Sequence, residues 1–141
     1  MLFQSDCSKL VSRMVTRITK GIRISVTCRY QELYSRPESK HYFYSYRVRI
    51  ENTSSHTVQL MRRHWYIFDA ATPKQEVEGE GVIGQQPVLS PGESYEYESA
   101  CNLTSELGSM HGTYLFKSVE DDTEFKVAIP RFELATPYRL N

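Results

Sequence analysis

The sequence is poor in the signals that mark most functional classes. Its three cysteines, Cys7, Cys28 and Cys101, form no CxxC pair, and an odd, irregular set does not make a disulfide framework. Cys28 and Cys101 fall on expected strands, where a thiol serves as a small apolar side chain, and this usage points to a cytoplasmic protein. No apolar run approaches the ~18 residues needed to cross a bilayer. Asp6, Ser8 and Lys9 interrupt the N-terminal stretch where a secretory signal would need its apolar centre. A membrane channel or pump is therefore not expected. Net charge is also missing, since 17 basic and 17 acidic side chains cancel. That removes the global field that draws a protein to nucleic acid or to an anionic membrane, so neither is expected as a partner. The four histidines (His41, His56, His64, His111) lack metal-ligand spacing, and no cofactor is expected. No Ser or Cys stands in a nucleophile-elbow context, and nothing selects a carboxylate pair for acid–base work. An enzyme is accordingly the least favoured class.

What the chain has is aromatic residues and alternation. Ten tyrosines, six phenylalanines and one tryptophan suit the pleated, half-buried surface of strands. Ile22, Ile24, Val26, Cys28 and Tyr30 alternate with polar residues, as do Tyr42, Tyr44, Tyr46, Val48 and Ile50; a period of two is a strand with one buried face. A third run changes phase. Val58 and Leu60 are apolar at even positions, Trp65 and Ile67 at odd ones, so a bulge or crossing is expected within Met61–His64. Phe68 keeps the even phase. Further strands are expected at Gln75–Glu78, at Tyr95–Cys101, at Gly112–Val119, and from Phe125 through Leu134 with Pro130 ending or bending the run. Turn signals such as Ser90-Pro91-Gly92-Glu93 separate them. About seven short strands without an amphipathic helix predict an all-β fold, an immunoglobulin or fibronectin-III-like β-sandwich. Leu2, Phe3, Leu10, Val11 and Met14 could form a short N-terminal helix.

Two segments carry candidate chemistry. Gly79, Gly81 and Gly84 spell GxGxxG, the dinucleotide fingerprint. That motif needs a helix after the glycines to present N–H groups to a pyrophosphate, whereas here Pro87 and Pro91-Gly92 follow and Glu78 and Glu80 crowd the approach. The glycines then serve a tight loop, or a phosphate-binding nest of another kind. In Arg62-Arg63-His64-Trp65, Arg63 could grip a phosphate or carboxylate bidentately and His64 could add a donor. Trp65 is the expected core anchor, with Arg63 aimed to its side of the sheet. The plainer alternative for Arg63 is an ion pair with Glu78 or Glu80.

From about Val15 onward the chain resembles the bacterial ApaG family. The resemblance rests on Gly21-Ile22, Tyr46–Asn52, Val58-Gln59-Leu60, Arg63-His64-Trp65, Asp69, the long block Val77–Pro91, Gly92-Glu93-Ser94, Cys101-Asn102-Leu103, Met110–Tyr114 and Ile129-Pro130. It implies a fibronectin-III-like sandwich, an association with cobalt and magnesium efflux or resistance, and a suggested pyrophosphate or nucleotide site at Gly79, Gly81 and Gly84. For related domains in eukaryotic F-box proteins it implies protein interaction. Two departures stand out. Residues 1–14 form an expected N-terminal extension to a domain at 15–141, and Ala100 replaces the family's usual glycine before Cys101. The expectation is a non-catalytic binding domain for a protein partner, with pyrophosphate or nucleotide as the alternative ligand at Gly79, Gly81, Gly84, Arg62, Arg63 and His64. Exposed edge strands leave room for a homodimer.

Overall fold

A computed structural model describes residues 13–139. The expected N-terminal helix lies outside that range, apart from Met14, which leads straight into the first strand. Nine strands follow: β1 (Val15–Thr19), β2 (Ile22–Tyr30), β3 (Tyr42–Asn52), β4 (Val58–Asp69), β5 (Thr72–Glu80), β6 (Val88–Leu89), β7 (Ser94–Leu103), β8 (Leu107–Ser118) and β9 (Glu124–Ala135). They build two antiparallel sheets, one ordered β1-β2-β3-β7 and the other β5-β4-β8-β9, with β6 also pairing β4. The sheets stack as a sandwich around one apolar core.

Alternation decides which faces meet. On β2 and β3 the register sets Ile24 opposite Ile50, Val26 opposite Val48, and Cys28 opposite Tyr46, all turned into the core. The opposite face carries Arg23, Arg47 and Arg49 beside Glu51 and Glu96, at separations of 3.5 to 4.0 Å. Such exposed pairs each contribute about 0–1 kcal/mol, so the core side holds the sheet in register. Trp65, only 3% exposed, is the anchor expected of it. Tyr46, Phe132 and Tyr114 surround it at centroid distances of 5.4, 6.0 and 6.4 Å, in tilted or edge-on geometry. Edge-to-face pairs add to simple area burial.

The phase change in β4 is a bulge at Met61, where the pairing with β8 slips between Leu60 and Arg62. After it, Arg63, Trp65, Ile67 and Asp69 turn inward while Arg62, His64, Tyr66 and Phe68 turn outward. Beyond the expected seven strands are β1, whose exposed pattern leaves little alternation to read, and the two-residue β6. β8 begins five residues earlier than its apolar run suggests. Gly112 lies where a Cβ would stand 2.0 Å from the His64 carbonyl oxygen, so this glycine serves close strand approach and not a loop. β5 starts at Thr72 and takes Pro73 into an edge strand, where a missing N–H costs little. β9 continues past Pro130 through a slip opposite His111.

Two buried polar side chains lock the loops. Asn52, fully buried, donates to the His56 and Leu89 carbonyls at 2.7 and 2.9 Å and accepts from the Ser54 amide and hydroxyl at 3.0 and 2.6 Å. Asp69 accepts from the Thr104 amide and hydroxyl, the Ser105 hydroxyl and the Ala71 amide, at 2.6 to 3.1 Å. Burial disfavours its charge, but these donors outweigh burial and hold its carboxyl below the ordinary 3.8.

The two flanks of the sandwich differ. On one, β1 and β2 pack against β9, and the Ala128 amide donates to the Thr19 hydroxyl at 3.3 Å. On the other, the edge strands β7 and β5 are separated by an open cleft.

Candidate functional site

The cleft has a volume of about 390 Å³. Its floor is Tyr46 and Trp65; its walls come from Ile67 on β4, Val77 on β5 and Ser99–Asn102 on β7. The turn at residues 82–84 forms its mouth. Val77 and Ile83 remain 41% and 58% exposed there. Of the side chains that line it, Arg63 alone is charged.

Arg63 is positioned by main chain. Its Nη1 donates to the carbonyls of Glu80 at 2.9 Å and Gly81 at 3.0 Å. The expected alternative, an ion pair with the carboxylate of Glu78 or Glu80, does not form: no ion pair of Arg63 occurs among the described residues. Gly79 sits directly across the strand pair from Arg63, and a Cβ there would come within 2.9 Å of Nη1. The absent side chain is what lets the guanidinium lie flat over β5. Below it, Tyr97 and Tyr114 share a buried hydroxyl–hydroxyl hydrogen bond, and burial pushes both phenols well above their usual range. Cys101, on the β7 wall, is pushed up to about 11 by burial and by Asp69. A thiol of that kind stays protonated at neutral pH and is a poor nucleophile.

The glycine motif is a tight hairpin. Val82 and Gln85 exchange both of their main-chain hydrogen bonds, at 2.8 and 2.9 Å, around a two-residue turn in which Ile83 (φ 48°) and Gly84 (φ 72°) both take positive φ. Those are the signs of a type I′ turn, which favours Asn-Gly; a β-branched residue there is strained. Gly81 (φ 62°) is required twice over, since a Cβ would also meet the Gln85 carbonyl oxygen at 2.2 Å. The amides of Gly81, Val82 and Gln85 are all engaged within the fold. The element that follows the glycines is the strand β6, not a helix.

The structure thus divides the six candidate residues. Arg63, Gly79, Gly81 and Gly84 gather at the mouth of the cleft. Arg62 and His64 project from the opposite face of the sheet. There His64 stacks on Tyr66 with 4.5 Å between centroids, and Tyr66 stacks on His111 at 5.1 Å. The His64 ring nitrogens face Glu78 at 3.2 Å and Glu76 at 3.4 Å. Sequence reasoning missed the contributions of Ile67, Val77, Ile83, Tyr97 and Ser99–Asn102. An isoleucine directly before glycine in a tight turn was the one signal that could have pointed to Ile83.

A second cavity, of about 360 Å³, lies at residues 54–58 and 118–125 beside Lys20. It already contains both signs of charge, with Lys20, Glu120 and Asp121 in its lining. Among the described residues no group of three or more His, Cys, Asp or Glu is placed to hold a metal ion, and no helix is long and apolar enough to cross a membrane.

An antiparallel β-sandwich of immunoglobulin/fibronectin-III type, closed along one flank and open along the other, is the class that this fold defines. A sequence model of the ApaG domain matches residues 32–118, and the chain belongs to the ApaG family. Protein ApaG of Brucella canis is 48% identical over 124 residues, covering 88% of this chain and 95% of that protein. Protein ApaG of Paramagnetospirillum magneticum is 47% identical over 131 residues, covering 91% and 100%. A crystal structure of an ApaA protein from Bordetella pertussis superposes with a TM-score of 0.79 at 46% identity, covering 82% of this chain and 94% of that one.

Proposed function

We propose that the chain is a non-catalytic binding domain that engages a protein partner at the cleft between β5 and β7. The observation that carries this reading is the open flank itself. Two strand edges without neighbours among the described residues border a cleft whose rim exposes Val77 and Ile83. Unpaired edges can accept an added strand, and apolar pockets beside them select its side chains. The same edges could join a second copy, which sedimentation of the isolated protein would distinguish. The proposed site of action is the cytoplasm, in keeping with the irregular set of three cysteines. On this reading any tie to cobalt or magnesium efflux runs through the partner.

The alternative ligand, pyrophosphate or a nucleotide, has the Arg63 charge in its favour. Against it stand the engaged amides of Gly81, Val82 and Gln85 and a cleft lining that adds no second cation to Arg63. Calorimetric titration with pyrophosphate and with ATP, each with and without magnesium, separates the two; micromolar binding would displace the partner reading.

The partner reading is tested by affinity capture from the native cytoplasm with wild-type protein, Ile83→Asp and Val77→Asp. A partner retained by wild type and lost with both rim variants is expected. Capture that both variants leave unchanged would move the interface away from the cleft.

A further inference from the structure

A guanidinium offers five N–H donors in a fixed plane. Arg63 commits Nη1 to the Glu80 and Gly81 carbonyls. Its Nε–Nη2 edge has no protein partner among the described residues, and that edge is the parallel pair of donors that matches a carboxylate bidentately. The side chain carries a permanent charge in a half-buried position. The nearest acidic strand does not neutralise it, because Glu76 and Glu78 turn to the other face and meet His64.

One arginine balances one negative charge. Ile67, Val77, Ile83 and Met110 line the cleft together with the uncharged polar Gln75, Ser99 and Asn102, a mixed wall that offers apolar contact to one side chain and gives a polyphosphate no further cation. The volume of about 390 Å³ lies near the small end of ligand pockets, which run from ~300 to ~1,000 Å³. Along the cleft runs β7, whose outer edge pairs with no strand among the described residues and whose residues 99–102 face the opening. An extended chain laid on that edge can enter the cleft and stop at Arg63.

We propose that the cleft recognises the free C-terminal carboxylate of an extended polypeptide whose last side chain is apolar, with Arg63 as the carboxylate-binding residue. This rests on the partner reading above and names what of the partner is read. Gly79 acts as a positioning residue, since it lets the guanidinium lie against β5 with its free edge available.

The probe is a pair of peptide pools randomised at the last four positions, one with free carboxylates and one amidated, presented to immobilised wild-type protein. The free pool is expected to be enriched in apolar last residues. The best peptide should lose affinity roughly tenfold or more on amidation, as for a charge-assisted hydrogen bond. Arg63→Gln should bring the free and amidated forms to the same affinity. Because the amidation comparison uses wild-type protein, it stands even if that variant folds poorly. Equal retention of both pools, or enrichment of acidic residues without preference at the terminus, would overturn the carboxylate assignment. If a cellular partner is still captured in a rim-dependent way, the binding-domain reading survives that result; if neither the pools nor the capture depends on the cleft, both fail.

Discussion

Replacing Ile83 by asparagine should make this protein more stable and a weaker binder. The residue holds φ 48°, and the left-handed region costs an ordinary L-residue about 1–2 kcal/mol. Asparagine followed by Gly84 is the preferred pair for such a turn, so most of that strain disappears. The offset is lost packing. With 58% of the residue exposed, about two-fifths is covered, and full burial of isoleucine stabilises by about 1.5–3 kcal/mol, so the substitution forfeits roughly 1 kcal/mol. The net gain is between about 0 and 1 kcal/mol, or up to about 4 °C in Tm for a domain of this size. Gly84→Ala is the control. Its φ is 72° and a Cβ there would meet nothing within 4 Å, so it reports backbone cost alone and should lower stability by about 1 kcal/mol. Thermal unfolding followed by circular dichroism reads both variants. A fall in Tm of several degrees for Ile83→Asn would refute the reasoning, because it would mean that the isoleucine is held by packing and not against strain. Partner capture by the same variant should fall, since it removes an apolar group from the cleft mouth.

Three further outcomes follow from the geometry. Tyr97→Phe leaves the buried Tyr114 hydroxyl without its partner and should cost about 1–3 kcal/mol, whereas Tyr97→Phe with Tyr114→Phe should cost less than the sum of the singles; denaturant titration of the four proteins measures the coupling. Asp69 has a lowered folded-state pKa, so its carboxylate contributes stability above about pH 4, and that contribution is lost as pH falls through the folded value. Asp69→Asn should therefore be clearly less stable at pH 7, with the gap to wild type narrowing below pH 4; a gap independent of pH would refute the assignment. Gly112→Ala should cost about 3 kcal/mol or prevent folding, because its Cβ would fall 2.0 Å from main chain, and the soluble yield and Tm decide it.

The legibility of the fold varies along the chain for physical reasons. β2 and β3 could be read because each has one buried face, so their composition alternates. The bulge in β4 could be read because one extra residue reverses phase, and the sequence records that reversal between Leu60 and Trp65. β1 could not, since its middle residues are all exposed and no alternation is selected. The early part of β8 could not, because glycines at 108 and 112 interrupt its alternation. Here both stand where a Cβ would collide with carbonyl oxygens of β4. The cleft was only partly legible. Arg63 and the glycines were found because they are neighbours in sequence or in motif. Alternation then split Arg62 and His64 from Arg63, as it must for adjacent residues on a strand. The β7 wall could not be placed, because it joins the cleft only through the order of strands in the two sheets.

The sealing of β1 and β2 against β9 has a consequence for how such a domain can travel between proteins. The first and last described strands share the flank away from the cleft, so another domain packed along that flank would leave the opening clear. Domains arranged in this way tolerate being spliced into larger chains. A sandwich laced along one seam and open along the other is in this sense a portable cassette, one that can be attached from behind while its open side stays clear.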